Sequence, residues 1–106
     1  MNDFVYVEVV QALAARVLAS SDFQTTEQKM QHAFQLCTAR LPSQNELAVL
    51  LDLLETQHSI NRTKTDLPDI PKANTILPAT ITLAEFHAWQ SVASTLLNLH
   101  ETITKN

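Results

Sequence analysis

The fold class of this chain follows from the stretch Pro42-Ser43-Gln-Asn-Glu46-Leu47-Ala-Val-Leu50-Leu51-Asp-Leu-Leu54. Ser43 and Glu46 have the spacing of a capping box, in which each side chain accepts a hydrogen bond from the other residue's backbone N–H. The leucines that follow recur at i, i+3, i+4 and i+7, which is the spacing of one face of an amphipathic helix. Pro42 ends any helix before it. The stretch therefore predicts a helix over residues 43–57.

Three further helices are predicted around this one. Apolar residues at spacings of three and four predict helices over 3–19 and 25–40. Thr82 and Glu85 form a second capping box, which begins a helix predicted over 83–100. The connection 58–82 is rich in proline and threonine, and its short apolar pieces are expected to pack on the helices. The fold class is all-α, a small four-helix domain.

Length and composition limit the chain to one helical domain, residues 1–106, and exclude several classes of site. A chain of 106 residues and 11.8 kDa has the size of one domain, and 45% hydrophobic residues are enough for a core. The sequence contains no glycine. The P-loop and the dinucleotide-binding fingerprint both need glycine where backbone approaches phosphate, so neither is present.

The net charge, the apolar runs and the cysteine content exclude several classes of partner and site. The formal net charge is −4 and the lysines and arginines are scattered, so nucleic acid is not an expected partner. No apolar run has the length of a membrane span. Cys37 is the single cysteine, which excludes an internal disulfide and a cysteine-rich metal site. If the domain is exported, its targeting signal is expected outside this chain.

No catalytic, cofactor-binding or metal-ligating residues are predicted. His32, His58, His87 and His100 include no pair with the i, i+4 spacing of a helical zinc site. Cys37 continues the apolar stripe of its helix and is expected to be a buried core residue.

Arg40 is expected to neutralise the end of the second helix and to reach Glu46 across the turn at Pro42. Trp89 is interpreted as a core residue, with an interface anchor as the alternative. Two weak motifs lie around the connection. Pro68 to Lys72 matches a polyproline ligand, and Asn61-Arg-Thr63 matches a glycosylation sequon.

Three segments together resemble one family. They are Asn2-Asp-Phe-Val-Tyr-Val-Glu8, Ala33-Phe-Gln-Leu-Cys-Thr-Ala-Arg-Leu-Pro42 with Glu46-Leu47, and Trp89-Gln-Ser-Val-Ala-Ser-Thr-Leu-Leu-Asn98-Leu-His-Glu101. In this order they resemble the C-terminal part of the planctomycete-type DUF1553 domain, also called PSD1. The resemblance implies an exported or periplasmic protein with a cytochrome c-like region and a DUF1549 domain upstream, so that any haem lies outside this chain.

These observations lead to one functional hypothesis and two alternatives. The chain is interpreted as a non-catalytic C-terminal helical module of a cytochrome c-associated protein, which closes a larger domain or docks a partner. Its candidate structural or interface residues are Arg40, Pro42, Glu46, Trp89, Asn98 and Glu101. The first alternative is a stand-alone adaptor that binds another protein through the 58–82 loop or an exposed helix face. The second is part of an enzyme acting on extracellular polymers.

Overall fold

The structure, a computed structural model, describes the backbone of residues 4–70, 77–78 and 80–105, and the side chains of 6–70, 77–78 and 80–99. Four helices follow one another in this part of the chain: α1 (Phe4–Ala19), α2 (Thr26–Thr38), α3 (Gln44–Arg62) and α4 (Leu83–Lys105). No strand occurs among the described residues. The predicted all-α domain of four helices is confirmed.

The capping boxes set the helix starts. Ser43 Oγ accepts from the Glu46 N–H at 3.1 Å, and Glu46 Oε1 accepts from the Ser43 N–H at 2.8 Å. At the start of α4 the structure shows one of the two hydrogen bonds of the predicted capping box, in which Thr82 Oγ1 accepts from the Glu85 N–H at 3.1 Å. A further capping box, at the start of α2, joins Thr25 to Gln28. Each box satisfies backbone N–H groups that have no partner within the helix.

Three helix ends differ from the prediction. α2 ends at Thr38 rather than at residue 40, because Ala39 adopts the left-handed conformation with φ 63°. α3 continues past residue 57 to Arg62, and α4 continues past residue 100 to Lys105. The α3 extension is held by a tertiary contact, since the buried Asn61 donates from Nδ2 to the Ala84 carbonyl oxygen at 3.2 Å.

The core forms around α4, which contacts each of the other three helices. The contact of Asn61 with Ala84 joins the end of α3 to the start of α4, so these two helices are antiparallel. Tyr6 near the start of α1 contacts Ser94 in the middle of α4 and Asn98 one turn further on, which joins α1 to α4. The largest side chains with almost no exposed area come from α1, α2 and α4: Phe34, Phe86, Met30, Leu96, Val17 and Val92.

The connection between α3 and α4 is partly packed on this core. Ile70, Leu77 and Ile81 contact the buried cluster, which confirms the predicted packing for these three residues. Ile60 belongs to α3 instead of the connection and is exposed. Among the described residues, no helix combines the length and the apolar character needed to cross a bilayer.

Candidate functional site

The turn between α2 and α3 carries the predicted contact of Arg40 with Glu46. Arg40 Nη1 and Nη2 donate to Glu46 Oε1 and Oε2, both at 2.9 Å, in the bidentate geometry that suits a guanidinium and a carboxylate. The Arg40 guanidinium also lies over the Phe34 ring, 4.9 Å from its centroid. Pro42 lies half-buried between the two helices. Arg40 therefore links the end of α2 to the start of α3.

The pKa values of Arg40 and Glu46 are shifted by the hydrogen bonds that hold this turn together. The hydrogen bonds from Arg40, followed by the backbone N–H of Ser43, lower the pKa of Glu46 from 4.5 to about 2. The hydrogen bond to Glu46 in turn raises the pKa of Arg40. Both partners stay charged at neutral pH, so neither serves as a general acid or base there.

The other three predicted site residues, Trp89, Asn98 and Glu101, all belong to α4. Trp89 is buried in the core, with 3% of its surface exposed, which agrees with the core interpretation and leaves no indole face for a partner. Asn98 is exposed on α4, and its Oδ1 accepts from the Tyr6 hydroxyl at 3.4 Å. Glu101 belongs to α4, but its side chain lies outside the described residues.

An apolar groove lies beside the Arg40–Glu46 pair, with a volume of about 360 Å³. Its walls are the first half of α3, the second half of α4 and a part of α2. The residues lining it are Phe34, Asn45, Glu46, Val49, Leu50, Thr95 and Leu99. Val49 is 67% exposed and Leu99 is 39% exposed, so the groove presents apolar surface from two helices to solvent.

A second groove, of about 450 Å³ and with a mixed lining, lies between α1, the end of α3, α4 and the start of the connection; it is called the polar groove here after its hydrogen-bonding side chains. Hydrogen-bonding side chains from all these elements converge on it: Tyr6, Gln57, Lys64, Gln90, Ser91 and Ser94. Val7, Val10 and Leu67 supply the apolar part of its wall. No aspartate or glutamate is among its lining residues in the described part of the chain.

His87 on α4 lines the polar groove and also contacts the segment between α3 and α4. Its Nε2 lies 2.8 Å from the Pro68 carbonyl oxygen, and its Nδ1 lies beside Gln90 Oε1. Because a carbonyl oxygen only accepts, Nε2 carries a proton and donates it. This hydrogen bond holds the chain near Leu67, which forms one wall of the groove.

Among the side chains that the structure describes, the nucleophile and metal-ligand candidates do not assemble into a centre. Cys37 is buried, and burial raises the pKa of its thiol, which disfavours the reactive thiolate. His32 stacks on Phe23 with ring centroids 4.3 Å apart. Within the described side chains, no group of three or more histidines, cysteines or carboxylates could hold a metal ion.

The structure describes the sequon around Asn61 completely, but only part of the polyproline motif. The sequon asparagine, Asn61, is 5% exposed, and its amide donates to Ala84, so the folded chain does not present it for glycosylation. The polyproline motif ends at Pro71 and Lys72, which lie outside the described residues.

Comparison of the chain with protein-family models, with curated proteins and with solved structures found no match. The resemblance to the DUF1553 domain stays a prediction carried by the three sequence segments.

The candidate site residues predicted from the sequence include part of the apolar groove and no residue that lines the polar groove. Arg40 and Glu46 at the rim of the apolar groove were predicted, because their contact is local. Val49 was missed, although its position off the leucine stripe of α3 is a visible signal of an exposed apolar residue. Gln57 and Lys64 have no sequence signal, since only the packing of α3 against α4 brings them near Ser91.

Proposed function

We propose that this chain is a non-catalytic helical module that docks an amphipathic helix of a partner protein in its apolar groove. The observation that carries the proposal is the pair Val49 and Leu99, two large apolar side chains exposed on facing helices. Covering them removes apolar surface from water, which is the main favourable term in most protein associations. A groove between two helices accepts an amphipathic helix through anchors at i, i+3, i+4 and i+7.

The charge beside the apolar groove indicates which type of partner helix would bind there. Asp52 lies one helical turn from Val49, is exposed and forms no ion pair within the described part of the chain. The whole chain carries a net charge of −4. A helix with an apolar stripe flanked by lysine or arginine is therefore steered toward this face, whereas a second copy of the chain carries the same negative charge and is repelled.

The resemblance to the DUF1553 domain supplies a narrower form of this proposal. In that form the partner helix belongs to the upstream part of the same exported, cytochrome c-associated protein. Immunoblotting of source-cell fractions combined with haem staining tests it. A haem-positive band far above 11.8 kDa is expected, whereas a haem-free band near that mass supports the stand-alone adaptor instead.

Binding itself is tested with two synthetic helical peptides that share one leucine stripe and differ in having lysine or glutamate beside it. Fluorescence anisotropy should show binding of the lysine peptide and weaker binding of the glutamate peptide. Val49→Asp should weaken binding about tenfold or more, because burying a valine side chain contributes roughly 1.5 kcal/mol and a buried carboxylate adds a cost. Val9→Asp, at another exposed valine, is the matched control and should bind normally.

Two results would contradict the proposal. Equal binding of the lysine peptide by the Val49 and Val9 variants would remove the groove from the interaction. A concentration-dependent dimer in sedimentation that is lost in Val49→Asp would show that a second copy covers the groove.

A further inference from the structure

We propose that the polar groove between α1, α3 and α4 is a binding site for a small organic molecule with a carboxylate group. This site is separate from the apolar groove, so the inference does not depend on the proposed docking function. Its volume of about 450 Å³ lies within the range of about 300–1,000 Å³ typical of small-molecule sites.

The charge of the groove indicates an anion with a single negative group. The chain has eleven carboxylate side chains and seven lysines and arginines, yet the lining residues include Lys64 and no carboxylate. Lys64 is exposed and makes no side-chain hydrogen bond within the described part of the chain. One ammonium group balances the single charge of a carboxylate, whereas a phosphate dianion would need a second cation or several backbone N–H groups.

The neutral side chains supply the hydrogen bonds that would orient such a ligand. Gln57 is half-buried and makes no hydrogen bond within the described residues. Ser91 and Ser94 project from successive turns of α4 into the groove, and the Tyr6 hydroxyl lies 2.9 Å from Ser94 Oγ. These groups can donate and accept, so they suit a ligand with amide or hydroxyl groups beside its carboxylate.

The wall that carries Lys64 is held in place by the core. His87 donates to the Pro68 carbonyl oxygen, and Asn61 at the end of α3 donates to the Ala84 carbonyl oxygen. Lys64 lies between these two anchors along the chain, and its N–H donates to the Asn61 carbonyl oxygen at 3.1 Å. The backbone of Lys64 is therefore positioned before any ligand binds, so only its side chain has to be ordered on binding.

The test is a titration of the whole chain with glutaramate, which has a carboxylate at one end and an amide at the other. Backbone amide shifts of Leu67, Gln90 and Ser91 should change in a saturable way. Glutaramide, which is neutral at both ends, should bind more weakly. Lys64→Gln should weaken glutaramate binding about threefold to fivefold, as expected for one exposed ion pair, whereas Lys29→Gln on α2 should not.

A second variant tests the groove even if Lys64 contributes little to the binding affinity. Ser91→Leu places a large side chain in the groove and should abolish the saturable shifts while circular dichroism shows a folded chain. Equal binding of glutaramate and glutaramide would overturn the carboxylate assignment. No saturable shift at the groove residues, even at high millimolar glutaramate, would overturn the site.

Discussion

Replacing Ala39 by glycine should stabilise this protein. Ala39 has φ 63° and ψ 18°, at the position after α2 where most helices of this type end in glycine. The left-handed conformation costs a residue with a Cβ atom roughly 1–2 kcal/mol, because that atom approaches the backbone carbonyl oxygen. The Ala39 side chain is exposed, so removing its methyl group sacrifices no core packing.

The opposing term comes from the unfolded chain, in which glycine gains about 0.4–1 kcal/mol of conformational freedom relative to alanine. The difference between the two ranges is about 0–1.6 kcal/mol, and its central value of about 0.8 kcal/mol is equivalent to roughly 3–6 °C in Tm for a domain of this size. Urea unfolding followed by circular dichroism measures it, since a single domain of this length is expected to unfold in one step.

The matched control is Ala48→Gly, at an exposed alanine inside α3. Glycine in a helix interior costs about 1 kcal/mol, so the same substitution should destabilise the protein there. Opposite signs at residues 39 and 48 support the conformational argument. If Ala39→Gly lowers the free energy of unfolding as Ala48→Gly does, the strain at Ala39 is not stored in its backbone and the reasoning is refuted.

Three further predictions concern the core and the turn. Asn61→Ala should cost about 1–3 kcal/mol in urea unfolding, because a buried hydrogen bond and its packing are lost; Asn45→Ala on the exposed face of α3 should cost much less, and equal costs would contradict the role of the buried amide. Glu46→Gln should remove a stabilisation that is complete above pH 4.5 and is lost as the pH falls toward about 2, since the folded-state pKa of Glu46 is lowered to that value. The free energies of unfolding of the variant and the parent protein, measured against pH, should therefore converge at low pH. A constant difference between them down to about pH 2 would rule out the ion pair as its source. Leu96→Ala should cost about 2–5 kcal/mol, because the side chain has no exposed area, and a loss below about 1 kcal/mol in urea unfolding would show that α4 is not the centre of the core.

The features that the sequence predicted are those made by residues close together in the chain. The Ser43 and Glu46 capping box, the start of α4 at Thr82 and the contact of Arg40 with Glu46 each span only a few residues. Their geometry depends on local backbone conformation and hydrogen bonding, which a short stretch of residue types specifies. The all-α class follows from the same local signals together with the spacing of apolar residues.

The helix ends were less predictable because tertiary contacts and backbone strain decide them. The polar residues from His58 onward resemble the start of a loop, yet Asn61 is held in α3 by a carbonyl group of α4. At Ala39 the chain adopts a left-handed conformation without a glycine to mark it. In both cases the residue type alone favours an outcome that the packed structure overrides.

The sequence by itself determined that the chain forms four helices around a single core and that it lacks a glycine-dependent phosphate site. Only the tertiary structure decided that Val49 and Leu99 face each other across a groove, and that Lys64, Gln57 and Ser91 meet in another. The physical reason is distance along the chain. Periodicity determines which face of each helix is apolar, but the faces of two helices meet only when α4 packs on α1 and α3.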